Sequence, residues 1–401
     1  MPLPIVFLLM TVTLNSMGIG LIIPVMPDLI QEVTGRPLSE AALFGGVLST
    51  LYAVMQFLFA PFLGRLSDAY GRRAVLLGTL GIMVVDYVVM ALASSLWMLL
   101  LARAVGGFAS ATQATASAAM ADISDPADRA RRFGIVSAAF GMGFVLGPVL
   151  GGFLGELGSR APFWAAGLLC GAGALLGAFV FPETLPKDRR RPVTWKGVNP
   201  FAAFRALGRL PGITRALIVY FLYNLAFGVY PAIWSFFTQA QFAWSPAMVG
   251  FSLGIFGVSF ALVQGGLMGV ILRLLGERGT MLFGLGVSVL CYAALSLVTS
   301  GTLALIFAPL AAFGAVYAPA QQGVMSRVVG PEEQGALQGV LTSTVAVAMM
   351  IAPFLMSNVF ATFTAPDRAT QIPGAPFAVA GLLTLAALAL ALWPTRQPAA
   401  A

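Results

Sequence analysis

The sequence predicts an all-α integral membrane protein: twelve transmembrane helices in two pseudo-symmetric bundles of six, with both termini in the cytoplasm. Three observations predict it. Of 401 residues, 59% are apolar and only 9% are charged, where a soluble chain carries about a quarter charged residues. The charges fall between long apolar runs: residues 216–272 and 279–326 contain no Asp, Glu, Lys or Arg, and each run has room for two spans of about 20 residues. Finally, with the N-terminus placed inside, the inner loops hold 18 Lys and Arg and the outer loops hold 3, Arg36, Arg160 and Arg368. Inner loops carry the positive excess.

The expected spans are 5–27, 42–63, 75–94, 97–119, 133–156 and 162–181, then 213–238, 247–270, 280–299, 302–325, 335–360 and 376–393. Turn chemistry separates several of them: Ser94-Ser95 between the third and fourth, Gln241 to Pro246 between the seventh and eighth, Thr299 to Thr302 between the ninth and tenth. Met1 to Met10 has no basic leader and no small-residue cleavage site, so this stretch reads as the start of the first span. The chain divides into residues 1–181, a linker 182–212, and residues 213–401. The linker begins Lys187-Asp188-Arg189-Arg190-Arg191, and Phe201, Phe204, Leu207 and Leu210 follow at helical spacing. It reads as a basic amphipathic helix on the inner leaflet.

Composition excludes several functions. The net charge of +7 lies in short loops beside the bilayer, which points to lipid and not to nucleic acid. With no histidine there is no Ser–His or Cys–His nucleophile and no His-ligated metal. Cys170 and Cys291 sit inside apolar runs and read as buried thiols. The two lysines follow Pro186 and Trp195, so no Gly-Lys of an ATP-binding loop exists. No cofactor, no metal and no enzymatic activity are expected. The partners are a small amphipathic substrate and the bilayer, around a monomeric functional unit.

Four features carry the chemistry. The loop Gly64-Arg65-Leu66-Ser67-Asp68-Ala69-Tyr70-Gly71-Arg72-Arg73 combines a helix-end acid, a turn glycine and headgroup-anchoring arginines. It reads as a breakable cytoplasmic latch between the halves, built on Gly64, Asp68, Gly71, Arg72 and Arg73. A weaker copy at Gly269 to Arg278 repeats both glycines and the last arginine at an offset of 205, which suggests duplication. In the fifth span Gly143, Gly147, Pro148, Gly151 and Gly152 favour close backbone packing with a bend. Asp86 and Arg103 fall about as far from the turn near Ser95 on neighbouring antiparallel spans. A charge at that depth costs about 3 kcal/mol unless compensated, so the two read equally as a proton-coupling pair or as a static buried ion pair. Candidate cavity residues are Asn15, Tyr52, Gln56, Gln113, Asn224, Tyr230, Trp234, Gln264 and Gln321.

The Gly64 to Arg73 loop, the Arg103-x-x-Gly106-Gly107 helix and the glycine-rich fifth span resemble the major facilitator superfamily. Met17-Gly18-Ile19-Gly20-Leu21, Pro24-Val25-Met26-Pro27, Asp86-Tyr87, Ala121 to Arg131 and Gly335 to Gly339 resemble its tetracycline-efflux, drug:proton antiporter branch. The resemblance implies a major facilitator fold and alternating access. It further implies efflux of tetracycline-like or other amphipathic drugs from the inner membrane, with the proton as coupling ion and antibiotic resistance as the outcome. Asp86 then matches the group's third-helix acid and Arg72 its loop arginine. The group's first-helix and ninth-helix acids fall at Asn15 and near Ser288 here. The alternatives are a proton-independent facilitator or importer of a metabolite, and a non-transporting membrane scaffold or sensor.

Overall fold

The computed structural model describes residues 3–110, 112–125, 128–192, 199, 201, 204, 210 and 212–393. Its regular structure is helical, and among the described residues ten continuous helical stretches are long and apolar enough to cross a membrane. In order they build from α1 (Leu3–Ile22), α2 (Met26–Thr34), α3 (Leu38–Tyr70), α4 (Arg72–Leu92), α5 (Leu96–Ala109), α6 (Thr112–Asp122), α7 (Arg129–Gly155) and α8 (Ala161–Val180). A second series follows: α9 (Thr214–Phe227), α10 (Val229–Phe242), α11 (Pro246–Leu262), α12 (Met268–Leu297), α13 (Gly301–Gly314), α14 (Tyr317–Val328), α15 (Gln334–Phe363) and α16 (Ala375–Leu392).

Several boundaries differ from the sequence expectation for identifiable reasons. Pro24 and Pro27 remove backbone donors, and α1 tightens through a 3-10 turn, Ile23–Val25, before continuing as α2. The fourth expected span breaks near Ser110 into α5 and α6. The eighth and ninth are joined through one turn of π-helix, Val263–Leu267, and part inside α12, where Gly276 takes φ 64 and ψ 176. In the linker expected to form an amphipathic helix, residues 193–198, 200, 202–203, 205–209 and 211 lie outside the described residues, Leu207 included. Of it, Phe201 is seen edge-on against Phe57 of α3, with ring centroids 5.2 Å apart.

The offset of 205 read from one loop recurs in the helix boundaries. Shifted by it, α5 falls on α13 at both ends, and the starts of α6 and α7 fall on those of α14 and α15. The two turn glycines correspond as well: Gly71 has φ 104 and Gly276 has φ 64, both in the region that favours glycine.

Packing divides unequally between the two ends of the molecule. One apolar core mixes both halves: Leu21, Val25 and Leu29 of the first pack with Ile233, Phe236 and Phe360 of the second. It lies toward the arginine-poor end. Toward the arginine-rich end each half has a core of its own, Phe7, Leu76 and Phe181 in one and Tyr317, Leu337 and Leu341 in the other. The halves are therefore closed at one end and parted at the other.

Candidate functional site: a cleft between the halves

Closure at the arginine-poor end rests on small residues and interhalf hydrogen bonds. A Cβ on Gly152 would stand 3.0 Å from the Gly250 Cα, and one on Gly46 would meet Ser357 and the Pro353 carbonyl at 2.8 Å. Ser235 donates to the Ile23 carbonyl (2.8 Å), Gln239 to Asp28 (2.7 Å) and Thr50 to the Met350 carbonyl (3.1 Å). The exposed Glu156 carboxylate accepts the Ala247 N–H (3.1 Å) at the first turn of α11.

Below that closure a cavity of about 780 Å³ opens between the halves. The first half contributes Gln56 and Phe57 of α3 and Ser117 of α6; the second contributes Tyr220 of α9, Gln322 of α14 and Thr342 of α15. Among the described residues lining it, none is charged. Gln322 also borders a side pocket of about 290 Å³ with Asn224 and Gln264. Phe227 joins that pocket to a third, apolar one that holds Tyr230 and Trp234. The arrangement offers amide and hydroxyl groups on one side and aromatic faces on the other, which suits an amphipathic small molecule.

Asp86 and Arg103 meet beside this cleft. Arg103 Nη2 donates to Asp86 Oδ2 at 3.0 Å, with the carboxylate fully buried. Asp86 Oδ1 and Arg103 Nε find no partner among the described residues. The guanidinium lies over the Tyr52 ring, 5.4 Å from its centroid. Gly106 makes room for the acid, since a Cβ there would sit 2.8 Å from Asp86 Oδ2. Asp86 does not line the cavity. The nearest cleft-lining group on the α5 side is Ser110, two helical turns from Arg103, or about 10 Å along the axis.

The loop between α3 and α4 is tied down at the arginine-rich end. Arg72 pairs with Asp68 (2.6 Å) and Asp122 (3.1 Å) and donates to Ser67 Oγ (3.0 Å). Its backbone N–H reaches Glu183 at 2.8 Å. Arg191 donates its N–H to the Asp68 carbonyl (3.1 Å), and Arg73 reaches the Ala178 carbonyl.

The chain matches the family profile of the Major Facilitator Superfamily over residues 8–308 and 216–401. The chain belongs to the major facilitator superfamily. It is 40% identical to the tetracycline resistance protein, class C, of Escherichia coli over 89% of each chain. It is 37% identical to the class B protein of Escherichia coli over 86% of each. Among solved structures, the nucleoside transporter NupG superposes with a TM-score of 0.76 at 15% identity, covering 98% of this chain and 100% of that one. The human organic anion transporter MFSD10 gives 0.69 at 24% identity, covering 97% and 99%. The chain is thus a multi-pass membrane transporter and not an enzyme.

In this major facilitator protein the residues expected from sequence go to different places. Gln56 lines the main cleft, Asn224 and Gln264 the side pocket, and Tyr230 and Trp234 the apolar pocket. Asn15 and Gln321 do not line these cavities. Both are buried, Asn15 Nδ2 without a partner among the described residues and Gln321 Nε2 on the Ala216 carbonyl at 3.3 Å. Gln321 is thus turned onto α9 of its own half, as polar residues in a span often serve packing. Tyr52 is half-buried under Arg103, and the Gln113 side chain lies outside the described ones. Ser288 donates to the Gly284 carbonyl of its own helix at 2.9 Å.

The fifth-span glycines do two jobs. A Cβ on Gly143, Gly147 or Gly151 would strike the backbone of α1, while Gly152 and Pro148 press on Gly250 of α11 in the other half. The Gly64 to Arg73 loop, expected as a latch between halves, lies at the arginine-rich end where the halves are parted. In this cleft-open arrangement the partners given above for Asp68, Arg72 and Arg73 belong to the first half or to the start of the linker, and Gly64 faces open space. The reason is separation: the other half is drawn away at this end. Sequence reasoning missed Ser110, Ser117, Gln338, Thr342 and Ser343 as cleft residues. Gln338 and Thr342 stand one turn apart, but two polar residues on an otherwise apolar span do not mark the face they line.

Proposed function

We propose that the chain is a proton-coupled exporter of tetracycline-like or other amphipathic drugs, residing in the inner membrane and working by alternating access. Twelve spans follow when α1 with α2, α5 with α6, α9 with α10 and α13 with α14 each make one crossing and Gly276 divides the eighth from the ninth. Both termini then lie in the cytoplasm, on the side of the arginine-rich loops. The observation that carries the reading is the uncharged 780 Å³ cleft, open at the arginine-rich end and shut at the other. In this reading Asp86 is the proton site and Arg103 sets its charge balance. The loop arginine Arg72 belongs to the inner gate, and the cleft takes the drug. Protonating Asp86 removes Arg103's counter-charge, a change large enough to bias one packing of the half over another.

The test is drug uptake into everted vesicles with simultaneous recording of internal pH. Drug entry should be accompanied by proton exit, and Asp86→Asn should abolish the proton movement. An Asp86→Asn protein that transports like the wild type, with no proton flux in either, overturns the coupling. A second reading, a proton-independent facilitator, is supported by Asp86 being paired and set apart from the cleft lining. Counterflow of substrate without a pH gradient would favour it.

A further inference from the structure

The side pocket of the second half has a chemistry the main cleft lacks. Its walls include three carboxamides, Asn224, Gln264 and Gln322, and three aromatic rings, Tyr223, Phe227 and Phe260. The π-helical turn Val263–Leu267 carries Gln264 and sets it opposite the α13–α14 junction. Single π turns of this kind recur at functional sites.

Two of the amides are oriented by their neighbours. Asn224 Nδ2 lies 2.7 Å from the Tyr220 carbonyl, and Gln264 Nε2 lies 3.0 Å from the Ala315 carbonyl. A backbone carbonyl only accepts, so in both residues the nitrogen must be the atom turned toward the protein. Gln322 Nε2 meets the Tyr220 hydroxyl at 2.9 Å, a group that can donate as well as accept, so that contact leaves its amide orientation open. The Asn224 and Gln264 amide oxygens are left as groups a ligand can meet, and they accept hydrogen bonds. Between them stand aromatic faces, which carry negative charge density.

We propose that this pocket seats the head of an organic cation, a protonated amine or an onium group, whose apolar body extends past Phe227 into the pocket of Tyr230 and Trp234. The inference rests on the cleft being the substrate path, and names the class of substrate. Among the described residues no carboxylate lines the pocket, so a divalent metal, which needs anionic or many oxygen ligands, gains little there. A diffuse organic cation is weakly hydrated and is held by carbonyl dipoles and rings. Gln322, shared with the main cleft, gives it the way in.

Binding of tetraphenylphosphonium and of uncharged triphenylphosphine oxide to the purified full-length protein tests this. Gln264→Leu should weaken the cation about tenfold while changing the neutral probe by less than about twofold. Gln264→Glu should tighten the cation and Gln264→Lys should weaken it. That opposition remains readable where one variant folds poorly. Equal losses for both probes, or Glu and Lys variants that bind the cation alike, overturn the proposal. A wild-type protein that exports tetracycline in vesicles but fails to bind tetraphenylphosphonium also overturns it, and leaves the exporter reading intact. Cation binding without any export does the reverse.

Discussion

Arg72 and Asp122 pair at 3.1 Å across the ends of α4 and α6, and 205 positions later the corresponding pair, Glu277 and Arg327, has its charges exchanged. The two halves thus use one fastening, a turn residue tied to the end of the next-but-one helix, with opposite polarity. Partly exposed ion pairs of this sort contribute little to stability alone. Their value is in holding the loop beside a left-handed glycine, Gly71 in one half and Gly276 in the other.

Because the second half already holds the pair reversed, the first half should tolerate reversal. Arg72→Glu alone sets a third acid beside Asp68 and Asp122 and should lower transport at least about tenfold, like-charge contacts being destabilising. Arg72→Glu with Asp122→Arg should recover much of that loss, to within a few-fold of wild type. Initial rates in everted vesicles decide it. A double variant as inactive as the single one would show that Arg72 is needed for more than its pairing.

The repeat also shows what the second half lacks. The positions matching Asp86 and Arg103 are Cys291 and Ala308, both buried and apolar. Asp86→Asn should lower stability by about 3 kcal/mol, since it strands the Arg103 charge in an apolar surround. Asp86→Leu with Arg103→Met, which imitates the other half, should regain most of it. Thermal unfolding in detergent measures both. A double variant no more stable than Asp86→Asn contradicts this account of the pair.

Much of this was readable in the sequence. The α4–α5 turn at Ser95 and the glycine face of α7 follow from turn chemistry and small-residue spacing, which act locally. The wall of the cleft was not readable, because a span faces lipid on one side and protein on the other and both sides are apolar. Ser117 and Thr342 therefore carry no stripe that marks them, while Asn15 and Gln321 advertise polarity yet are buried away from the cleft lining. The break at Ser110 was hidden for the same reason. Nothing in the fourth span's hydropathy distinguishes one helix from two.

Closure at the arginine-poor end depends on backbone approach between Gly152 and Gly250. A Cβ on either would stand 3.0 Å from the other's Cα, backbone that cannot rotate away. Gly250→Leu should force the halves apart there and shift the population toward the opposite opening. Single cysteines placed near Pro37 and Thr364, beside a pocket at that end, should become more reactive to a membrane-impermeant maleimide. Unchanged labelling would mean that the contact is incidental to closure.

Glu156 supplies a pH-dependent part of the same closure. Its carboxylate accepts from the Ser245 side chain and the Ala247 N–H, and these bonds hold it below the ordinary carboxylate value of 4.5. Both partners lie in the other half, at the first turn of α11, where a negative charge also meets the positive end of the helix dipole. A lowered carboxylate stabilises the joined state above its unjoined value and loses that contribution as pH falls through the lowered one. The Glu156 contribution to closure should therefore be constant near neutrality and fade below about pH 4.5, with Glu156→Gln removing that acid limb. Since the carboxylate is exposed, the shift should be small, a few-fold at most in the open-to-closed ratio. Spin-label distances across the arginine-poor end, taken as a pH series on wild type and variant, would reveal it. The same acid response in both proteins would assign the effect to other groups.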